Sequence, residues 1–421
     1  GSIVSERSYK FGYTELTLSN GMKVYVRQTD FEPDEVNLKF FSMGGKNLYP
    51  DADMPNLTYL MAGATIGGVG QYDDLALEKM LAGKTATVAP YIDDDTEGMT
   101  GTSNVKDTET LLELVYLYFT QPRKDPQAFK SLMEQQEAFL TNAHVNPMLA
   151  YNDTLHKVAY GTDRLASMDK ERLKKVSYDR IMQIYKERFA SASDFKLILT
   201  GNINLDKLRP LLCRYMAVLP SNNRTEGIGT HGARLVDGKK TYVFHKKQAT
   251  PTAITTIVIK GKMEYSNRNE LLMDAIGQLL RIVYTDKVRE EKGGTYSVQV
   301  SGDLQHHPAD EALLRIAFQT DPQKYHELIP IVYEQLHKMA TEGPSQQDLD
   351  KVKAYERKVY NQVLRMNNYW EYVLYSDLFN GIDVDTTFRS IVESMTCDDI
   401  RTTLRQLLDQ NNCIEVTMTQ K

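Results

Sequence analysis

Polar and apolar residues alternate at the start of the chain: Leu16 and Leu18 precede Asn20-Gly21, and Val24 and Val26 follow it. Period-two alternation on both sides of an Asn-Gly pair predicts a β-hairpin. A second apolar run at 36–41 reads as a strand ending in Gly44-Gly45, and 56–66 then predicts a buried helix. Residues 85–92 and 98–102 predict a strand pair. Leu111, Leu114, Val115 and Tyr118 recur at three and four, the helical period, and helices continue to about residue 190. An apolar strand at 195–199 and a helix at 205–218 complete this pattern.

The order then repeats. Strands are predicted at 241–244 and 253–259, a helix through Leu272, Ile276, Leu279 and Val283, strands at 296–300 and 312–318, further helices, and a last strand at 414–418. A shift of 214 positions superposes Gly63 on Gly277, and Leu114, Val115, Leu117 and Tyr118 on Leu328, Ile329, Ile331 and Val332, the mark of an internal duplication. Strands gathered ahead of helix clusters predict an α+β fold: two tandem homologous layers, each a mostly antiparallel sheet with helices over one face. The polar, Gly-rich stretch 223–240 reads as the linker, with one domain at 1–222 and the second at 241–421.

Composition narrows the class. Of 421 residues, 41% are hydrophobic and 25% charged, as in ordinary globular proteins, which excludes collagenous and disordered chains. The net charge of -6 gives no basic footprint for nucleic acid. No apolar run is long enough to insert in a membrane, so the chain reads as soluble, in the cytoplasm or a bacterial periplasm. Residues 1–30 lack a signal-peptide pattern, but Gly1-Ser2 reads as a tag-cleavage remnant, and the chain is expected to be cut from a longer one. Cys213, Cys397 and Cys413 are far apart and in no CxxC arrangement, so free thiols are expected, with no disulfide framework and no thiolate zinc site.

Candidate chemistry is sparse. The eight histidines include no pair four residues apart, so no helix can present the two imidazoles of an HExxH or HxxEH zinc motif. His306-His307 reads as a solvated loop. Gly83-Lys84-Thr85 imitates the end of a P-loop, but Glu78 stands where the motif needs Gly, so Gly83 reads as a helix terminator. The Gly-rich 62–70 segment follows a helix and reads as close packing or a loop, and Lys170 to Lys175 as a solvated helical face. One feature stands out: VREEKGGTYSV, residues 288–298. Arg289 offers a planar, permanently charged donor fork and Tyr296 a hydroxyl donor; a turn through Gly293-Gly294 would let both grip a carbonyl oxygen.

This layout resembles the pitrilysin/insulinase family of zinc metallopeptidases. Arg289-x6-Tyr296 looks like the Arg/Tyr pair of the family's non-catalytic half, which contacts substrate backbone across from the zinc. FFSMGGKNLYPDADMPNLTYLMAG and YKERFASASDFKLILTGNINLDKLRPLL are similar to family segments, and the resemblance covers nearly the whole chain. It implies two halves closing over a peptide, with HxxEH and a downstream Glu ligand in the catalytic half. Here the matching helix reads Leu57-Thr58-Tyr59-Leu60-Met61-Ala62, so no metal ligand carries over. The first domain also has no copy of the Arg/Tyr pair. The resemblance therefore implies a non-catalytic, substrate-binding C-terminal half, inactive alone, with Arg289 and Tyr296 as its substrate-binding residues and no cofactor of its own. Zinc is expected in a partner half carrying HxxEH, either in the same longer chain or in a separate subunit. The alternative is an inactive scaffold subunit of the same fold, as in the respiratory bc1 complex, and a third reading is a stand-alone peptide-binding module.

Overall fold

The computed structural model describes residues 1–143, 145–292 and 298–420, with side chains for all of these except 288–292. Among the described residues there are twelve strands: β1 Ile3–Ser8, β2 Thr14–Leu18, β3 Lys23–Gln28, β4 Val36–Met43, β5 Ala86–Ile92, β6 Thr96–Ser103, β7 Lys196–Gly201, β8 Lys239–His245, β9 Ala253–Lys262, β10 Val298–Gln305, β11 Glu311–Thr320 and β12 Asn412–Thr419. They form a seven-stranded sheet, β1-β2-β3-β7-β4-β6-β5, and a five-stranded sheet, β10-β11-β9-β12-β8. Without β1 and β2, the first sheet has the order of the second read backwards. In each, the first and last strands of the repeat pair in parallel, β3 with β7 and β8 with β12, and the other neighbours are antiparallel. The 214-residue repeat is thus a repeat of topology.

The compact units do not follow the contiguous halves expected from the sequence. One comprises residues 1–141, 168–232 and 363–379; the other 142–167, 233–362 and 380–421. The cause is that both sheets are apolar on both faces. In the first unit, Leu38, Phe40, Leu197 and Leu199 pack under the helices Thr108–Thr120 and Tyr178–Arg188. Tyr13, Tyr25, Phe41 and Ile198 turn the other way and bury Leu374 of the helix Asn367–Asn380. In the second unit, Ile257, Ile259, Leu314 and Ile316 meet Met273, Leu280 and Leu404, while Val258, Ile414, Val416 and Met418 meet Tyr151 and Leu155 of the helix Pro147–Tyr160. Each sheet therefore gains one helix on its second face, drawn from the helical run of the other repeat. Tyr151 fixes that helix by donating its hydroxyl to buried Thr256 Oγ1 at 2.6 Å. Tyr151→Phe should cost about 1 kcal/mol, seen as a lower urea midpoint at constant m.

The expected linker is a strap. Arg224 donates to Asp194 Oδ2 (3.1 Å), Glu226 accepts from Arg188, and the His231 N–H donates to the Asn47 carbonyl (3.0 Å). Gly229 lies so near Asn47 that a Cβ there would sit 2.0 Å from backbone carbon. Beyond residue 232 the anchors belong to the second unit, where Lys260 Nζ donates to the carbonyl of Leu235 (2.7 Å) and pairs with Asp237 (2.8 Å). The helix expected at 56–66 breaks at Tyr59 into Met54–Thr58 and Leu60–Thr65, and the one expected at 205–218 ends at Leu211, just past Pro210, and continues as a wider turn.

Candidate functional site

The Arg289 side chain and Tyr296 lie outside the described residues; the frame that carries them does not. The helix Asn267–Lys292 runs along β10, and the contact is backbone on backbone. A Cβ on Gly302 would lie 2.0 Å from the Met273 carbonyl oxygen, and one on Gly277 2.9 Å from the Gly302 nitrogen. Toward its C-terminal end the helix is pinned by Tyr284, whose buried hydroxyl donates to the Val332 carbonyl at 3.1 Å. β10 is the end strand of its sheet: one edge pairs with β11, and no described strand pairs with the other. Val298 and Val300 point into the core while Gln299 and Ser301 point out. The edge of β10 that no described strand pairs is of the kind to which an extended peptide can add its backbone.

The same helix carries a feature the sequence reading passed over. Glu270, Asp274 and Gln278 follow one another at four-residue spacing, so they share a face, and this spacing was the available signal. Burial pushes the Glu270 carboxyl up from its ordinary value, and Asp274 and Asp303 add to the shift. Glu356 is raised first by burial; Gln278, which donates to it and to Asp274 Oδ2 (2.8 Å), opposes the rise. Among the described residues, no group of three or more His, Cys, Asp or Glu stands close enough to hold a metal ion.

The position matching the family's metal helix does not fit zinc. Leu57 and Leu60 are core residues, the Thr58 hydroxyl donates back to the Met54 carbonyl (2.9 Å), and the Tyr59 hydroxyl donates to Gln136 Oε1 (3.3 Å). Asn56, on the same helix, accepts the Ser177 N–H at 2.7 Å. Asn56, Leu57, Thr58, Tyr59 and Leu60 each pack or hydrogen-bond locally, and none of them is an imidazole, thiolate or carboxylate that zinc would take. The P-loop imitation is a helix end: Gly83 has φ +80 after the helix Asp74–Met80, and the Thr85 N–H is taken by Asp107 Oδ2 (2.8 Å). In the Gly-rich 62–70 segment, Gly67 sits against the Arg123 carbonyl and Gly68 (φ +78) against that of Tyr72, so close approach explains both glycines. His306 lies in the β10–β11 turn, bonded to Asp310 Oδ1 at 2.7 Å and stacked on Tyr265.

The first unit also holds a buried charge cluster. Arg188 donates to both Glu226 carboxylate oxygens (2.6 and 3.2 Å) and to the Tyr49 hydroxyl (2.9 Å), and lies 3.7 Å from Glu97. Glu97 is fully buried and accepts the Gly45 N–H at 2.6 Å; burial pushes its carboxyl up to about 8 against the opposing pull of Arg188.

Comparison with known proteins adds to this geometry. A family model described as the peptidase M16 inactive domain matches residues 175–355. A zinc protease PQQL-like protein of Arabidopsis thaliana is 25% identical over 400 residues, 88% of this chain and 38% of its own. The crystal structure of the periplasmic protease PqqL from Escherichia coli superposes with a TM-score of 0.87 at 19% identity, covering 100% of this chain and 47% of that one. The peptidase M16 inactive domain from Pseudomonas fluorescens superposes with a TM-score of 0.73 at 16% identity, covering 98% and 100%. The chain spans less than half the length of the A. thaliana and E. coli proteins.

Proposed function

We propose that the chain is an inactive half of a zinc metallopeptidase of the pitrilysin/insulinase (M16) family, and that it is the substrate-positioning wall of a two-half peptidase. The observation carrying this reading is the edge of β10 that no described strand pairs, on a strand that starts at Val298, six positions after the helix Asn267–Lys292 ends. A peptide in extended form adds its backbone hydrogen bonds to such an edge. Arg289 and Tyr296 then donate to its carbonyl oxygens, holding the chain in register, so that their contribution is positioning. Zinc and the general base belong, on this reading, to a partner half carrying HxxEH, in the same longer chain or in a separate subunit. The proposed compartment is the cytoplasm or a bacterial periplasm; among the described residues no helix is long and apolar enough to cross a membrane.

Losing one charged donor to a shielded acceptor costs ~1.5–3 kcal/mol, so Arg289→Ala in the assembled two-half enzyme should lower kcat/KM about 10- to 150-fold. The unfolding midpoint should hardly move. Full activity in that variant would remove the pair from the mechanism, and purification with a membrane complex but no HxxEH partner would favour the scaffold alternative.

A further inference from the structure

The two repeats differ at one sheet edge. In the first unit β3 is covered by β2, with Thr14 opposite Val26 and Leu16 opposite Val24. Its equivalent in the second unit, β8, pairs with β12 on one side, and no described strand pairs with its other side. All of β8 except Phe244 is exposed, including Tyr242 at 47% and Val243 at 42%.

Backbone bonds fix which groups face outward. The Lys246 N–H donates to the Thr419 carbonyl (2.9 Å), and the Gly238 carbonyl accepts from the Cys413 N–H (3.0 Å), so the even-numbered residues turn their main chain toward β12. Main-chain direction alternates along a strand. Lys239, Thr241, Val243 and His245 therefore present their N–H and C=O groups to solvent. Beside them, on the side-chain face of Lys239 and Thr241, opens a pocket of about 530 Å³ whose wall includes Ile259, Tyr333, Leu336 and Cys413. In it the Tyr333 hydroxyl donates to buried Glu415 at 2.8 Å.

Charge selects the occupant. The strand runs Lys-Lys-Thr-Tyr-Val-Phe-His and continues into Lys246 and Lys247, so cations flank an apolar centre. Antiparallel pairing with a second copy centred on Val243 would set Lys239 against Lys247, and like charges directly opposite are destabilising. An acidic strand would meet lysines at both ends. We propose that the free edge of β8 and its adjoining pocket bind an extended peptide segment with acidic residues flanking an apolar centre, one side chain entering the pocket. This site lies on the opposite edge of the sheet from β10 and does not depend on the role given to Arg289.

The probe is a fluorescein-labelled octapeptide with two glutamates at each end and alternating Thr and Val between, titrated into the intact protein and followed by anisotropy. Saturable binding is expected, weakened at least 10-fold by Val243→Pro and by Thr241→Pro, which remove only outward N–H groups and leave the unfolding midpoint nearly unchanged. Binding should weaken in 0.5 M salt, vanish for a peptide with lysines in place of the glutamates, and persist in Arg289→Ala. No saturable binding at millimolar peptide, equal affinity in both folded proline variants, or dimerisation through this edge in sedimentation would each overturn the proposal.

Discussion

Replacing Arg188 with alanine is expected to destabilise the first unit by about 2–4 kcal/mol at neutral pH, and by more as the pH rises. Breaking a fully buried ion pair costs ~3–5 kcal/mol. The loss here is smaller because Glu226 is partly exposed and keeps Arg224 at 3.2 Å. The pH dependence comes from Glu97. Its folded value of about 8 lies above the ordinary carboxyl range of ~4.3, so the folded state holds this proton more tightly than the unfolded one. The stability it contributes is fully present below about pH 4.5 and is lost as the pH climbs to about 8, by at most ~1.4 kcal/mol per pH unit. Arg188 opposes the rise, so without it the folded value goes higher and the loss continues to higher pH. Urea unfolding of wild type and Arg188→Ala at pH 6 and pH 9 should show the larger difference at pH 9, and Glu97→Gln should flatten the wild-type slope. Equal differences at the two pH values would mean Glu97 is not the titrating group.

Gly302→Ala is expected to cost about 3 kcal/mol or more. Overpacking usually costs ~1–3 kcal/mol because side chains can give way. Here the added methyl meets the main-chain carbonyl of Met273 at 2.0 Å, and Gly277, across the contact, has no side chain to move. The helix Asn267–Lys292 must lift away from β10, which shifts the very corner proposed to hold substrate, so kcat/KM of the assembled enzyme should fall together with the unfolding midpoint. Gly227→Ala is the control: no atom lies within 4 Å of its Cβ position, so the change should stay within ~0.5 kcal/mol. A Gly302→Ala protein as stable as this control would refute the close contact.

The Asn20-Gly21 hairpin, β4, β7, β9 and β12, and the 214-residue repeat were legible because alternation and apolar runs are local signals. β1 was not, since five of its six residues are exposed and it carries no apolar run. For the candidate site, Arg289 and Tyr296 were singled out from residue type and turn spacing, while the acidic face of Glu270 and Asp274 was missed because Glu356, which completes it, is 82 positions beyond Asp274.

By itself the sequence determined the element types, the duplication and the lack of a zinc motif, all of which depend on residues near one another in the chain or on one fixed offset. Only the tertiary structure decided which sheet each long helix covers. An amphipathic stripe such as Tyr151 and Leu155 records that a face must be buried, but any apolar sheet of matching size satisfies it. The same holds for the edges: β3 and β8 read alike as strands, yet one is covered and the other open, because edge pairing is settled by what the rest of the chain leaves beside a strand.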